Sequence, residues 1–268
     1  MKSLYLTLVA LFLLVGCAPK ETEPSGVRDL TGSNKETTGT TATTGTTATT
    51  PGDDQKKAPE PPKVTKLPLS ELPADLKTEA FEYYGLGNEK AMGVELKSAD
   101  VPTKTGGVSV TLNKVEGGKA YFTVSRTGGI AEDLGDDTVM VDSTGVYMAG
   151  TSIGSVTPSP FLALPTDLTP GKTWTQKTKV VRNDGQEIAE DSVYKVVGIQ
   201  DVKTKSGTQK ALLVTSTGTA VVSMGTNKES PKYETKSWYV KGVGPVKIEI
   251  SLTTKGKPPR TLTVEQSN

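Results

Sequence analysis

Histidine is missing from all 268 residues, and only one cysteine, Cys17, is present. The first absence excludes imidazole bases, Ser-His-Asp triads and His-ligated zinc or haem, the commonest chemistry near neutral pH. The second leaves Cys17 without a partner for a disulfide and excludes a Cys-based metal set. Net charge is nearly absent too: 31 Lys and Arg against 30 Asp and Glu give +1, which provides no electrostatic footprint for nucleic acid. Two Trp and four Phe leave few flat platforms for stacking sugars. Long apolar runs are also scarce. The only sustained one, Leu4 to Val15, is shorter than the roughly 20 residues a membrane span requires.

That run has the length of a signal h-region, and Lys2 supplies the positive start before it. It ends in Leu14-Val15-Gly16-Cys17, which resembles the lipobox of bacterial lipoproteins in both residue type and distance from the N-terminus. The resemblance implies cleavage before Cys17, lipidation of its thiol, and two or three acyl chains on the new N-terminus. More than one chain anchors stably, at about 0.8 kcal/mol per buried methylene. A plain secretory signal with an incidental cysteine and a short uncleaved anchor are the alternatives. Ala18 would become the second mature residue, not the Asp that resembles an inner-membrane retention signal, so a diderm source implies the outer membrane. Loss of Lys2 would leave 30 basic against 30 acidic side chains.

Composition then divides the chain into a signal peptide (1–16), a lipidated Cys with a disordered Thr/Pro-rich tether (17–66) and an antiparallel β domain (67–268). Residues 18–66 contain almost no large apolar side chains, so they cannot bury enough surface to offset the entropy of ordering. Within them, Thr37-Thr38-Gly39-Thr40-Thr41-Ala42 repeats as Thr43-Thr44-Gly45-Thr46-Thr47-Ala48. A six-residue period is low complexity, not a stacking solenoid, which needs about 20 residues or more. A flexible chain of this length averages roughly 40 Å end to end. A spacer across a surface layer, a glycosylated stalk and a neutral linker all fit it.

From Leu67 the pattern changes. The helical candidate is Pro73 to Tyr84, where Leu72, Leu76 and Ala80 are spaced by four and Gly85 stops the run. Beyond it the period is two, as in Val108, Val110 and Leu112, or Val246, Ile248 and Ile250. Strands are expected near 90–98, 106–115, 119–127, 137–142, 145–150, 172–182, 186–199, 209–221, 233–241, 244–254 and 260–266. Glu116-Gly117-Gly118-Lys119, Ser143-Thr144-Gly145 and Asn183-Asp184-Gly185-Gln186 have the chemistry of hairpin turns, so neighbouring strands run antiparallel. Thr157 to Pro165 is too proline-rich for a central strand and reads as a crossover or a lip. The fold class is therefore mainly all-β: a curved antiparallel sheet, or an open barrel or sandwich, with one short N-terminal helix. Trp238 is expected to fill the core, with truncation to Ala costing about 3 to 5 kcal/mol.

Four segments carry a family resemblance. Leu164-Pro165, Pro170-Gly171-Lys172-Thr173-Trp174, Thr204 to Leu212 and Trp238 to Lys247 resemble, in order, the C-terminal half of the TapB-like bacterial lipoproteins. Those are secreted or lipidated β proteins, largely without an assigned activity. Gln209 stands where that pattern has an aromatic at a hairpin tip. The resemblance implies a fold more than a function.

No residue pattern reads as catalytic or cofactor-binding. Glu132, Asp133, Asp136 and Asp137 place four carboxylates in one loop, oxygen ligands of the kind that suit Ca2+, although their spacing is not that of an EF-hand and a solvated turn explains them as well. Ser192 and Lys195 form a Ser-x-x-Lys, but an offset of three on a strand sends them to opposite faces. Gly85-Leu86-Gly87 and Gly242-Val243-Gly244 lack the remainder of any nucleotide loop and read as structural. Three classes of function follow. The first is a noncatalytic, lipid-anchored envelope module that binds an envelope protein or occupies the surface, its acyl chains making the membrane its partner. The second is a carrier of lipid or another apolar ligand, as the lipoprotein carriers LolA and LolB are. The third is a hydrolase built on two distant carboxylates. A continuous apolar cavity would favour the second, and a polar cleft with two facing acids the third.

Overall fold

A computed structural model describes residues 66–99 and 101–267. The signal peptide, Cys17 and all of the tether but Lys66 lie outside the described residues. Fourteen strands follow in chain order: β1 (Met92–Ser98), β2 (Val101–Glu116), β3 (Lys119–Gly128), β4 (Asp137–Asp142), β5 (Gly145–Thr151), β6 (Gly154–Thr157), β7 (Phe161–Pro165), β8 (Thr173–Arg182), β9 (Glu187–Thr204), β10 (Gly207–Met224), β11 (Asn227–Glu229), β12 (Lys232–Val240), β13 (Gly244–Thr253) and β14 (Arg260–Gln266). Two short helices accompany them, α1 (Glu79–Tyr84) and α2 (Gly129–Leu134).

All pairings are antiparallel, and twelve strands form a ring in the order β10-β12-β13-β14-β1-β2-β3-β4-β5-β6-β8-β9. Pairing of β9 with β10 along nearly their whole length closes it. The fold is thus a closed barrel, which removes the exposed edges an open sheet would have to protect. Strand β6 makes the corner, meeting β5 at one residue pair and β8 at four. The proline-rich stretch around it contributes two strand segments, β6 and β7, where a lip or plain crossover was expected, and β7 lies against β5. The hairpin signals act as read: Glu116 faces Lys119 across Gly117-Gly118, and Asp142 faces Gly145 with Asp142 Oδ1 accepting from Thr144 N at 2.8 Å.

Strict alternation puts one set of side chains inside. On β9 it is Ile188, Glu190, Ser192, Tyr194 and Val196, and on β3 it is Ala120, Phe122, Val124 and Arg126. Ser192 is accordingly buried and Lys195 exposed, so the Ser-x-x-Lys pair is split across the wall. The same rule corrects the reading of Trp238. The inward phase of β12 is Tyr233, Thr235, Ser237 and Tyr239, and Trp238 lies half-buried on the outer side, against Val202, Ala211 and Val246 with Lys247 Nζ 5.5 Å from its ring.

The expected N-terminal helix is shorter than its spacing implied. Ala74–Leu76 is a 3-10 turn, helical geometry breaks at Lys77, and α1 begins after the extended Thr78, whose hydroxyl accepts from Phe81 N. Leu72, Leu76, Ala80, Phe81 and Leu86 pack onto inward residues such as Leu112, Phe122 and Val139 and cover that part of the interior. Gly85 ends α1 at φ 77°, and a Cβ there would lie 2.4 Å from Val243 O. Only glycine lets α1 sit so close to the β12–β13 turn, where Glu82 O also accepts from Gly242 N.

A second helix, α2, occupies the connection between β3 and β4. Its Ile130 and Leu134 are buried in the barrel core. A bare backbone makes this possible, because a Cβ on Gly106 would come within 2.4 Å of Ile130 Cγ1 and within 1.9 Å of Thr127 O. Gly106→Ala should therefore lift α2 from β2 and cost about 1 to 3 kcal/mol through overpacking. Urea unfolding of the variant tests this, and a midpoint equal to the wild type would contradict it.

Candidate functional site

The inward set of β1, β2, β3, β13 and β14 does not fill the barrel. Met92, Val94, Val108, Val110, Val124 and Val264 line a narrow pocket of about 70 Å3. Ile130 and Leu134 of α2 wall one side, and Tyr84 and Gly85 at the end of α1 wall another. The strands supply Val where a filled core would need larger side chains, and this shortfall creates the space. Its lining, largely apolar with a few placed polar groups, has the composition of small-molecule sites.

The polar groups are Arg126 and Asp137, both in the pocket wall. Arg126 Nη2 donates to Asp137 Oδ2 at 2.5 Å, with both side chains almost fully buried. The guanidinium is held further by Nη1 donating to Gly135 O at 2.8 Å, while Arg126 N donates to Asp136 Oδ1 at 2.9 Å. Two buried atoms of the pair, Arg126 Nε and Asp137 Oδ1, have no hydrogen-bond partner. Burial raises the Asp137 carboxyl above its ordinary value, and the Arg126 guanidinium opposes that rise. Tyr84 stacks on Tyr239 at 6.4 Å. Its hydroxyl pKa is raised by burial, by the neighbouring Tyr239 and by Asp137, and Arg126 counteracts. Tyr84, Arg126, Asp137 and Gln266 thus form the polar part of an otherwise apolar pocket.

The acidic cluster is dispersed. Glu132 and Asp133 belong to α2, not to a loop, and Asp137 opens β4. Asp133 pairs with Lys104 at 2.5 Å, Asp137 with Arg126, and Asp136 accepts from the Arg126 backbone. Among the described residues no three carboxylates gather as a metal would require. Each of these three is committed to a donor or cation, since a buried carboxylate needs one.

A second polar region lies on the inner faces of β8, β9, β10 and β12. Cross-strand pairing sets Gln176 beside Ser192, Thr178 beside Glu190, and Ser216 beside both Tyr194 and Thr235. The ring of Tyr233 lies over Gly218, where a Cβ would meet its hydroxyl at 2.6 Å. Neither oxygen of Glu190 has a hydrogen-bond partner, and Gln176 Oε1, Thr178 Oγ1, Ser192 Oγ and Tyr233 OH are likewise buried without one. Burial raises the Glu190 pKa well above the ordinary carboxylate value, and the neighbouring Ser192 hydroxyl offsets only part of this. Trp174 stacks on Tyr194 at 5.1 Å beside this row.

Sequence reasoning singled out neither Arg126 nor Glu190. A usable signal was present. Arg126 continues the inward phase of Phe122 and Val124, and Glu190 falls between Ile188 and Tyr194 on the inward phase of β9. A charge in phase with core residues marks a buried site. Asp137 and Glu190 do not share a cleft, since Asp137 lines the apolar pocket and Glu190 is not among its walls.

No family model and no curated protein matches the chain. Among solved structures it is similar to an inferred lipoprotein from Parabacteroides distasonis, at 13% identity over 69% of this chain and 97% of that one, TM-score 0.47. It is similar also to an inferred exported protein with YmcC-like fold from Bacteroides fragilis, at 10% identity over 66% of this chain and 93% of that one, TM-score 0.46. The hypothetical lipoprotein YmcC of Escherichia coli K12 matches at 8% identity, covering 70% and 89%, TM-score 0.32.

Proposed function

We propose that this chain is a noncatalytic, lipid-anchored protein of the bacterial cell envelope whose barrel binds an apolar ligand. The observation that carries the binding reading is the pocket lined by Met92, Val94, Val108, Val110, Val124 and Val264. It supports the ligand-carrier class over a module that merely occupies the surface. The hydrolase class loses its support, because the pocket holds one acid and that acid is paired with Arg126. The envelope reading rests on the lipobox-like Leu14-Val15-Gly16-Cys17 and on the resemblance to the TapB-like lipoproteins. In a diderm source the anchor would place the barrel at the outer membrane.

Two experiments test the two halves of this reading. A neutral fluorescent probe, N-phenyl-1-naphthylamine, should bind the purified β domain saturably at one site. Val108→Trp, which fills the pocket from β2, should abolish the fluorescence gain while the fold, followed by far-UV circular dichroism, persists. Equal binding by the variant would show that the probe sits elsewhere. For the anchor, Cys17→Ser should abolish metabolic labelling with palmitate and release the protein from the membrane fraction; labelling that survives the substitution would refute lipidation at Cys17.

A further inference from the structure

The pocket is small for the class of ligand it is read as taking. Its volume of about 70 Å3 is less than half of the roughly 150 Å3 cavity that admits one benzene ring, so an apolar ligand of ordinary size needs more room than the folded barrel leaves. What fills the adjoining space is α2. Its Ile130 and Leu134, both fully buried, wall the pocket and belong to the barrel core. The connection between β3 and β4 thus puts a sec-butyl and an isobutyl group where a ligand's apolar body would otherwise lie.

This wall is attached differently from the strands. A six-residue helix has little stability of its own, and α2 carries no side-chain N-cap. Both its ends are glycines in backbone regions that other residues hardly enter, Gly128 at φ 72°, ψ −161° and Gly135 at φ 58°, ψ −164°. Such positions absorb large dihedral changes at little steric cost, as hinges must. Two side-chain contacts tie α2 to its neighbours: Asp133 pairs with Lys104 of β2 at 2.5 Å, and Gly135 O accepts from Arg126 Nη1 of β3 at 2.8 Å.

We propose that α2 is a displaceable plug: an apolar ligand enters as the helix swings about Gly128 and Gly135, and takes the place of Ile130 and Leu134 over β2 and β3. The inference rests on the reading of the pocket as a ligand site and adds how that site is regulated. In the closed form the plug's own side chains compete with the ligand, so the apparent affinity is the intrinsic one reduced by the fraction open. The ligand's apolar surface replaces the burial that α2 gives up, which is the differential interaction a ligand-driven shift requires.

The test uses the chain without its signal peptide and with Cys17→Ser, which has no other cysteine, and N-phenyl-1-naphthylamine as the probe. Asp133→Asn removes the charge that pairs with Lys104 and should tighten probe binding by about threefold or more, because more of the protein is open. For the opposite effect, a Cβ on Gly129 would lie 3.6 Å from Lys104 Cβ, within the roughly 3.5 to 4.5 Å of a disulfide. Lys104→Cys/Gly129→Cys should therefore lock α2 down, and combining it with Asp133→Asn strands no buried carboxylate. Oxidised, this triple variant should bind the probe about tenfold or more weakly than after reduction with dithiothreitol. Equal binding by the oxidised and reduced forms, or no tightening in Asp133→Asn, would overturn the plug while leaving the pocket reading intact. Failure of the wild type to bind the probe at all would remove the pocket reading, and with it this inference.

Discussion

Arg126→Met should be among the most damaging single substitutions in the barrel, lowering stability by about 3 to 5 kcal/mol. The guanidinium and the Asp137 carboxylate are both nearly inaccessible to water and meet at 2.5 Å. Removing one partner leaves the other charge buried and unpaired, which is what makes breaking such a pair expensive. Asp137→Leu should cost a similar amount for the mirror-image reason. The double variant should cost far less than the sum, because an apolar pair carries no desolvation penalty and the surroundings, Val108, Val124 and Leu134, are already apolar. Urea unfolding of the four proteins forms a double-mutant cycle. Additive losses would show that the two side chains do not act as a unit.

Glu190 should produce the largest pH effect. Burial raises its pKa in the folded barrel, and no cation offsets the shift. In the unfolded chain it titrates at the ordinary carboxylate value. Below that value Glu190 is neutral in both states, and its contribution to stability is fully present. As the pH rises, the unfolded chain releases the proton while the folded one retains it, so stability falls by about 1.4 kcal/mol per pH unit until the folded value is reached. Glu190→Gln keeps the shape and cannot ionise. Its stability relative to wild type should therefore be nearly constant below about pH 4 and climb steadily above it. The groups facing Glu190 do not mask this. The Tyr194 hydroxyl is itself raised by burial and by Glu190 and does not titrate in this window. Urea midpoints of both proteins from pH 4 to 9 provide the test, and a gap independent of pH would mean that Glu190 is ionised in the folded barrel.

These two residues also mark how far the sequence could be read. The period-two runs and the Gly-rich turns located eleven strands, because alternation and positive-φ glycines are local consequences of residue type. Three short strands escaped, Gly154–Thr157, Phe161–Pro165 and Asn227–Glu229. Each is held by a partner distant in sequence or by a brief return hairpin, and three to five residues beside prolines carry no period of their own. Helix α2 escaped for a related reason: six residues are too few to show a helical stripe, and its support is tertiary, the bare backbone of Gly106 beneath Ile130. The placing of Trp238 in the core failed on phase. One face of β12 had to be buried, but Trp238 and Tyr239 alternate, and only the sheet's closure decided that Tyr239 points inward.

By itself, then, the sequence determined the class of fold, the antiparallel order and the absence of histidine or thiol chemistry within the β domain, since these follow from composition and short-range pattern. It also carries the lipobox-like start on which the anchor proposal rests. Closure of the ring, the unfilled space behind the valines and the meeting of Arg126 with Asp137 were decided only in three dimensions. Those depend on the pairing of β9 with β10, on α2 folding over β2, and on burial that turns two ordinary charges into a coupled pair. Such long-range contacts leave no trace in local periodicity.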